Sequence, residues 1–242
     1  MDERTVQAAR NNATWCDAVC RAHGRPGEFL PDLWINHQPT PRFYPNVVTL
    51  TRPRDQSAQL RAIALLDERG LPGAWGVKDS YCALDLASSG FQVVVEAHWL
   101  WRPATLPPPR AERAGIRWAR IKDAAALAAW EAAWGGPTGD DASPSVFLPG
   151  LLADPAIAML AAYDQGEIVA GAVASRTGDV VGLSNVFTPA ADGAHFWAGS
   201  VAGAMAAFPG LPLVGYEGGE ELSIAQSLGF ATVGPLRVWV KI

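Results

Sequence analysis

The sequence predicts an α/β (α+β) fold, in which a mixed, mostly antiparallel sheet is flanked by helices and occurs in two tandem copies. Three observations lead to this prediction. Segments with strand and helix periodicity alternate along the chain. Short turns at 164–166 and 177–179 contain Gly and are typical of hairpins. The pair Gly90-Phe91 recurs as Gly229-Phe230, 139 residues further on.

The elements of the first half follow from local signals. The first 23 residues are expected to be helical, because Trp15, Val19 and Ala22 fall on one stripe. Gly, Pro and Asp residues then mark the ends of alternating strands and helices. These are predicted as a strand at 47–50, a helix at 55–70, a strand at 74–78, a helix at 79–90 and a strand at 91–101.

The second half has a fuller set of elements. A strand at 116–120 and a helix capped by Asp123 precede a meander of three antiparallel strands at 157–163, 167–175 and 180–188. A helix beginning after Gly193 is expected to bury one stripe of apolar residues. A strand at 211–216, a helix at 220–228 and a strand at 230–240 complete the prediction.

A proline-rich stretch marks the predicted boundary. Pro103 and the run 107–109 favour a stiff, extended linker. We therefore predict a truncated half at 1–103, a linker at 104–114 and a complete domain at 115–242. The 139-residue offset also places 46–49 (NVVT) over 185–188 (NVFT). This favours duplication, with a chance similarity of two α/β segments as the alternative.

Composition excludes several classes of protein. Apolar residues make up 49% and charged residues 18% of 242 residues, which is not the composition of a disordered chain. No apolar stretch approaches the length of a membrane span, and no basic stripe indicates nucleic acid. We expect a cytoplasmic protein, monomeric or homodimeric, without membrane or nucleic-acid partners.

Charge and cysteines give weaker signals. Residues 111–242 carry a net charge of −6, which indicates either a solvated acidic surface or a preference for a cationic substrate. Cys16, Cys20 and His23 share a helix face, but a metal site would need further ligands. We interpret the cysteines as small buried thiols and predict no metal.

The order of elements in 115–242, together with three segments, resembles the GNAT (Gcn5-related N-acetyltransferase) superfamily. The segments are 166–174 (GEIVAGAVA), 183–189 (LSNVFTP) and 225–230 (AQSLGF) with the strand that follows. The resemblance implies an acyl-CoA-dependent N-acyltransferase, with acetyl-CoA as co-substrate and an amine of a small molecule or peptide as acceptor. It extends in weaker form over 44–102.

The resemblance also implies where acetyl-CoA would bind. In that fold the fourth and fifth strands separate, and the cofactor enters between them. The matching positions are the strand end and the helix start that follows it: Val186, Phe187, Thr188, Gly193 and Ala194. Free backbone N–H groups and the helix dipole there form an anion site.

The sequence departs from the family pattern at this loop and at the general acid. Asp192 stands where a basic or amide residue is usual, and His195 replaces a glycine. No Lys or Arg occurs between Arg176 and Arg237, so phosphate binding is expected to rest on backbone amides or on the other half of the chain. The family's tyrosine position holds Ala225.

Catalytic candidates lie at the end of the predicted fifth strand. Glu217 is a candidate general base, and Tyr216 a candidate replacement for the missing acid. Ser184 and Asn185, on the neighbouring strand, are candidates for holding the substrate. The alternative for Glu217 is a carboxylate that complements a helix dipole, and for Tyr216 a place at the edge of the core.

Two functions from different classes remain open at this point. The first is an N-acyltransferase whose C-terminal half is active. The second is a GNAT-like protein without transferase activity that binds a small ligand or a protein partner in the cleft. The intact fold signals favour neither. The altered phosphate loop and the missing tyrosine favour the second, whereas the use of this fold for acyl transfer favours the first, although a fold alone does not establish a function. We expect the transferase and keep the second function as the alternative.

Overall fold

The computed structural model describes residues 2–52, 54–111, 113–135, 144–189 and 192–242. The helices are α1 (Glu3–Ala22), α2 (Ser57–Glu68), α3 (Ala124–Gly135), α4 (Gly193–Ala207) and α5 (Gly219–Ser227). The strands are β1 (Glu28–Phe29), β2 (Leu33–Ile35), β3 (Val47–Thr49), β4 (Trp75–Asp79), β5 (Gln92–Arg102), β6 (Ile116–Arg120), β7 (Ile157–Asp164), β8 (Glu167–Thr177), β9 (Val180–Phe187), β10 (Leu213–Glu217) and β11 (Ala231–Lys241).

All eleven described strands join one sheet in the order β1-β2-β3-β4-β11-β5-β10-β9-β8-β7-β6. Two of the strand pairs in this sheet are parallel, β3 with β4 and β9 with β10, and the others are antiparallel. The predicted meander is confirmed as β7, β8 and β9. The mixed, mostly antiparallel sheet flanked by helices is therefore the fold that the sequence predicted.

The repeat is visible in the last strand of each half. The strands β5 and β11 are each 11 residues long and begin 139 residues apart. Each follows a glycine in the left-handed region, Gly90 with φ of 83° and Gly229 with φ of 90°. Glycine suits these positions because a side chain is strained there. The local structure of both copies thus matches the sequence offset.

The two halves exchange these last strands. The strand β5 of the first half pairs with β10 of the second, and β11 of the second half pairs with β4 of the first. The strands β5 and β11 also pair with each other at the centre of the sheet. The boundary at 104–114 stays a prediction about the sequence, since the hydrogen-bonded sheet is continuous across it.

One predicted element is wrong. Residues 80–91 do not form the helix expected at 79–90, and contain only a short 3-10 turn at Ala87–Ser89. The Asp79 carboxylate accepts hydrogen bonds from the backbone N–H groups of Tyr81 and Leu84. The segment after it runs in irregular conformation, which lets Leu84 and Leu86 fill the core of the first half.

Helix α1 crosses the sheet and contacts both halves. Its Trp15 packs with Tyr44 of the first half and with Phe147 of the second. The Asn11 side chain donates to the carbonyl of Ser175 in β8 at 2.8 Å. The helix therefore covers strands of both halves with one face. Among the described helices, none has the length and apolar character needed to cross a membrane.

The close approach of α1 to β9 depends on Gly182. A Cβ at this position would collide with Oδ1 of Asn11. We expect Gly182→Ala to displace α1 and lower the Tm by roughly 3–10 °C, because overpacking costs about 1–3 kcal/mol. Differential scanning calorimetry measures the effect. Gly150→Ala is the control, since a Cβ there meets nothing within 4 Å; equal Tm values for the two variants would contradict the packing argument.

Candidate functional site

A cleft opens where β9 and β10 separate. These parallel strands are paired only at Val181 with Leu213 and at Gly182 with Val214. Gly215 still lies against β9, because a Cβ there would be 2.8 Å from the carbonyl oxygen of Leu183. Beyond this point the strands diverge. The family resemblance predicted this separation of β9 and β10. The residues that follow on both strands line the cleft between them.

A bulge in β9 shapes one wall of the cleft. The pairing with β8 shifts register between Ser184 and Phe187, and Asn185 adopts a positive φ of 51°. Its side-chain oxygen accepts from the Trp15 indole N–H at 3.1 Å, the Ser184 hydroxyl at 3.1 Å and the Tyr44 hydroxyl at 3.5 Å. Asparagine tolerates this backbone region better than most residues do. Asn185 thus ties the bulge to α1 and to the first half.

A cavity of about 260 Å³ occupies the cleft. Five of the residues predicted from the sequence line it, and the two halves of the chain both contribute to its walls. The predicted residues that line it are Ser184, Asn185, Val186, Tyr216 and Glu217. The four other predicted residues do not line it: Gly193 and Ala194 begin α4, and the remaining two lie elsewhere. Phe187 packs edge-on against Trp130, and Thr188 contacts the start of α4 near Gly193.

Glu217 is the acidic residue among the described residues that line this cavity. It ends β10 and is only partly exposed. Burial raises the pKa of Glu217 to about 8, and the nearby Glu221 carboxylate adds to the rise. A carboxylate with a pKa near neutrality takes up and releases a proton readily at physiological pH, which is the property required of a general base.

Tyr216 meets Lys78 in the same cavity. The Lys78 ammonium donates to the Tyr216 hydroxyl at 3.3 Å and lies 4.4 Å from the centre of its ring. The ring also packs edge-on against Trp99, at 5.6 Å between centroids. Tyr216 is therefore both a core-edge residue and a cavity residue, which combines the two interpretations that the sequence left open.

The start of α4 corrects one expectation about charge. The sequence placed no basic residue near Asp192, yet the Arg113 guanidinium pairs with its carboxylate at 2.6 Å. Asp192 has a left-handed backbone and makes no side-chain cap. Gly193 and Ala194 form the first turn of α4, as predicted. An arginine far away in sequence thus neutralises the acidic residue that the sequence placed against a phosphate.

Sequence reasoning missed the contribution of the first half to the cavity. Asn12 and Trp15 of α1, Tyr44 and Lys78 all line it. Asn12 and Trp15 lie in a helix with many polar residues, Lys78 in a short strand and Tyr44 in a loop, and no local sequence pattern marks them as cavity residues. Cys16 lies beside them, and burial raises the pKa of its thiol, as expected of a buried thiol. Among the residues that the structure describes, no cluster of three or more His, Cys, Asp or Glu side chains is arranged to hold a metal.

Comparison with known proteins identifies the fold. No protein-family model and no curated protein sequence matches this chain. Among solved structures, it is similar to a GCN5-related N-acetyltransferase from Kribbella flavida, with 19% identity, a TM-score of 0.65 and coverage of 97% of this chain and 95% of that chain. It also resembles a functionally unknown conserved protein from Staphylococcus epidermidis, with 12% identity, a TM-score of 0.66 and coverage of 88% and 92%.

A tandem arrangement occurs among these structures as well. A tandem GNAT protein from the clavulanic acid biosynthesis pathway aligns over 97% of this chain and 95% of that chain, with 11% identity and a TM-score of 0.52. The chain therefore has the GNAT fold in a tandem arrangement. At these identities the likeness establishes the fold alone.

The raised pKa of Glu217 predicts a pH-dependent effect on stability. Between about pH 4.5 and 8 the unfolded chain releases this proton while the folded chain keeps it, so the wild-type loses stability as pH rises. Glu217→Gln avoids this loss. We expect the Tm of this variant to match that of the wild-type near pH 4.5 and to exceed it at pH 8.5. The difference should be about 2–4 °C for each kcal/mol of unfolding free energy that the variant retains and the wild-type loses.

Thermal melts at a series of pH values test this prediction. Glu220→Gln is the matched control, because Glu220 lies in the same loop-to-helix junction but is exposed. It should show no such gain at high pH. A gain that is identical for both variants, or that does not change with pH, would show that Glu217 does not titrate in the way described.

Proposed function

We propose that this protein is an acyl-CoA-dependent N-acyltransferase that transfers an acetyl group to the amine of a small molecule or peptide. The observation that carries the proposal is the position of Glu217, a carboxylate with a pKa of about 8, in the cleft between the separated strands β9 and β10. The GNAT fold supports the same reaction class, and the partly buried site supplies the low-dielectric surroundings in which such a base is effective.

The residues around the cleft fit acetyl-CoA. Gly193 and Ala194 present backbone N–H groups at the start of α4, where a helix N-terminus favours phosphate. Arg113 adds a positive charge and pairs with Asp192. Val186 and Phe187, in the bulge of β9, are the candidates for hydrogen bonding to the carbonyl and pantetheine portion. When bound, acetyl-CoA supplies the acetyl group as a thioester.

Two side chains provide the proton routes that the reaction needs. As the bond from the amine nitrogen to the acetyl carbon forms and the bond from that carbon to sulfur breaks, the amine must lose a proton and the sulfur must gain one. Glu217 accepts the first proton. Tyr216 donates the second, and the adjacent Lys78 ammonium stabilises its phenolate. Successive residues of a strand point to opposite faces, so the two groups enter the cleft from different sides.

Binding of acetyl-CoA is the first test of the proposal. Isothermal titration calorimetry should detect binding to the wild-type protein. Arg113→Ala should weaken it about tenfold, because the phosphate then meets an unpaired Asp192 carboxylate. Arg117→Ala is the control, since its guanidinium lies over the ring of Tyr163. Absence of binding at millimolar acetyl-CoA would contradict the proposal and favour a GNAT-fold protein that binds another ligand.

Turnover separates catalysis from binding. We expect Glu217→Gln and Tyr216→Phe each to lower kcat about 10²–10⁴-fold, the usual contribution of a general acid or base, with little change in the Kd for acetyl-CoA. In the wild-type, kcat/KM should rise with pH through about 8 as Glu217 loses its proton, and Glu217→Gln should abolish this component of the rise. Unchanged kcat in both variants would remove these residues from the mechanism. A spectrophotometric assay of released thiol measures all of these quantities.

A further inference from the structure

Lys78 is a buried cation that has no anionic partner among the residues that the structure describes. Its side chain extends from β4 of the first half, and the residue is 5% exposed. The ammonium donates to Oδ1 of Asn12 at 2.7 Å and to the hydroxyl of Tyr216 at 3.3 Å. Within the described part of the chain it forms no ion pair, and one of its three N–H donors has no protein acceptor.

A buried ammonium of this kind is costly. A lysine is rarely buried without a counter-charge, because water solvates the ammonium far better than neutral groups do. Lys78 lines the cavity that also contains Glu217. An anion bound in this cavity would restore the missing interaction. Of the described residues that line the cavity, Lys78 is the only basic one, so the site offers one positive charge and suits a carboxylate rather than a phosphate, which requires more donors.

An apolar groove continues from the same place. This valine groove has a volume of about 500 Å³ and is bounded by Tyr44, Pro45, Val94, Val238 and Val240. Lys78 and Tyr216 line both the groove and the cavity, so the two spaces adjoin at these side chains. Val94 is 57% exposed, which is unusual for a large apolar side chain on a strand near the centre of a sheet. Arg42 and Thr40 also line the groove, so it is a mainly apolar surface that begins beside the buried Lys78 cation.

We propose that the acceptor is an amine that also carries a carboxylate and an apolar side chain, with the carboxylate bound by Lys78 and the side chain lying in the valine groove. This inference rests on the proposed function, because Glu217 in the adjoining cavity is what identifies the ligand as an amine. Carboxylate, amine and apolar group on one small molecule describe an apolar amino acid or a close analogue. The acidic surface of the second half then has no part in choosing the acceptor.

Binding without acetyl-CoA tests the Lys78 site by itself. The probes are 3-phenylpropanoate and its neutral amide, which differ only in the charge that Lys78 would bind. By calorimetry the wild-type protein should bind the carboxylate at least tenfold more tightly than the amide. Lys78→Gln should abolish this preference, and Lys78→Arg should retain part of it. Lys122→Gln is the matched control, because Lys122 is exposed and lies outside the cavity.

Two results would overturn the assignment. One is equal binding of acid and amide by the wild-type, which needs no variant and does not depend on how Lys78→Gln folds. The other is an unchanged preference in Lys78→Gln whose circular dichroism matches that of the wild-type.

Turnover with acetyl-CoA then distinguishes the two proposals. We expect phenylalanine to be acetylated with a kcat/KM at least tenfold above that of phenethylamine, which lacks the carboxylate. In Lys78→Gln the KM for phenylalanine should rise while the KM for acetyl-CoA stays unchanged. Carboxylate binding without acetylation of any amine would refute the transferase and leave the anion site standing. Faster acetylation of phenethylamine would refute the acceptor class and leave the transferase standing.

Discussion

The antiparallel pairing of β5 with β11 is the interaction on which the rest of the structure depends. It joins the last strand of each half at the centre of the sheet. As a result β10 has a second partner in the first half, and β4 has a second partner in the second half. Backbone groups at a strand edge must be paired or solvated, and the exchange pairs both edges at once. The strands β4 and β10 are thereby held at a fixed separation, and Lys78 and Tyr216 reach across the two central strands to meet.

Helix α1 makes the second essential connection. Its Asn11 bonds to β8, its Asn12 to Lys78 of β4 and its Trp15 to Asn185 of β9. These three contacts join strands from both halves to one rigid element. The cleft therefore has a wall to which both halves contribute. Two of the three donors to Asn185 in the β9 bulge, Trp15 and Tyr44, come from outside that strand. A site organised in this way depends on the whole chain, although the fold is repeated within it.

Local signals predicted most of the elements. The hairpin glycines, the apolar stripes and the paired Gly-Phe turns each act over a few residues, and the structure contains the corresponding strands and helices. The helix expected at 79–90 is absent because tertiary packing outweighs the local preference for a helix there. Asp79 has the chemistry of a helix cap, but its carboxylate binds N–H groups of an irregular loop, and the leucines that would have formed a helical stripe fill the core instead. Local sequence also gave no sign of the basic partner of Asp192, since Arg113 lies 79 residues before it in the chain.

The sequence by itself determined the class of fold, the tandem arrangement and the position of Glu217 and Tyr216 at a strand end, because periodicity, turn chemistry and motif spacing are properties of neighbouring residues. Only the tertiary structure decided which strands pair at the centre, and with them the meeting of Lys78 and Tyr216, the charge partner of Asp192 and the environment that raises the pKa of Glu217. The physical reason is that the packing of the complete chain decides which strands form hydrogen bonds with each other. The burial of a charged group likewise depends on residues far away in sequence.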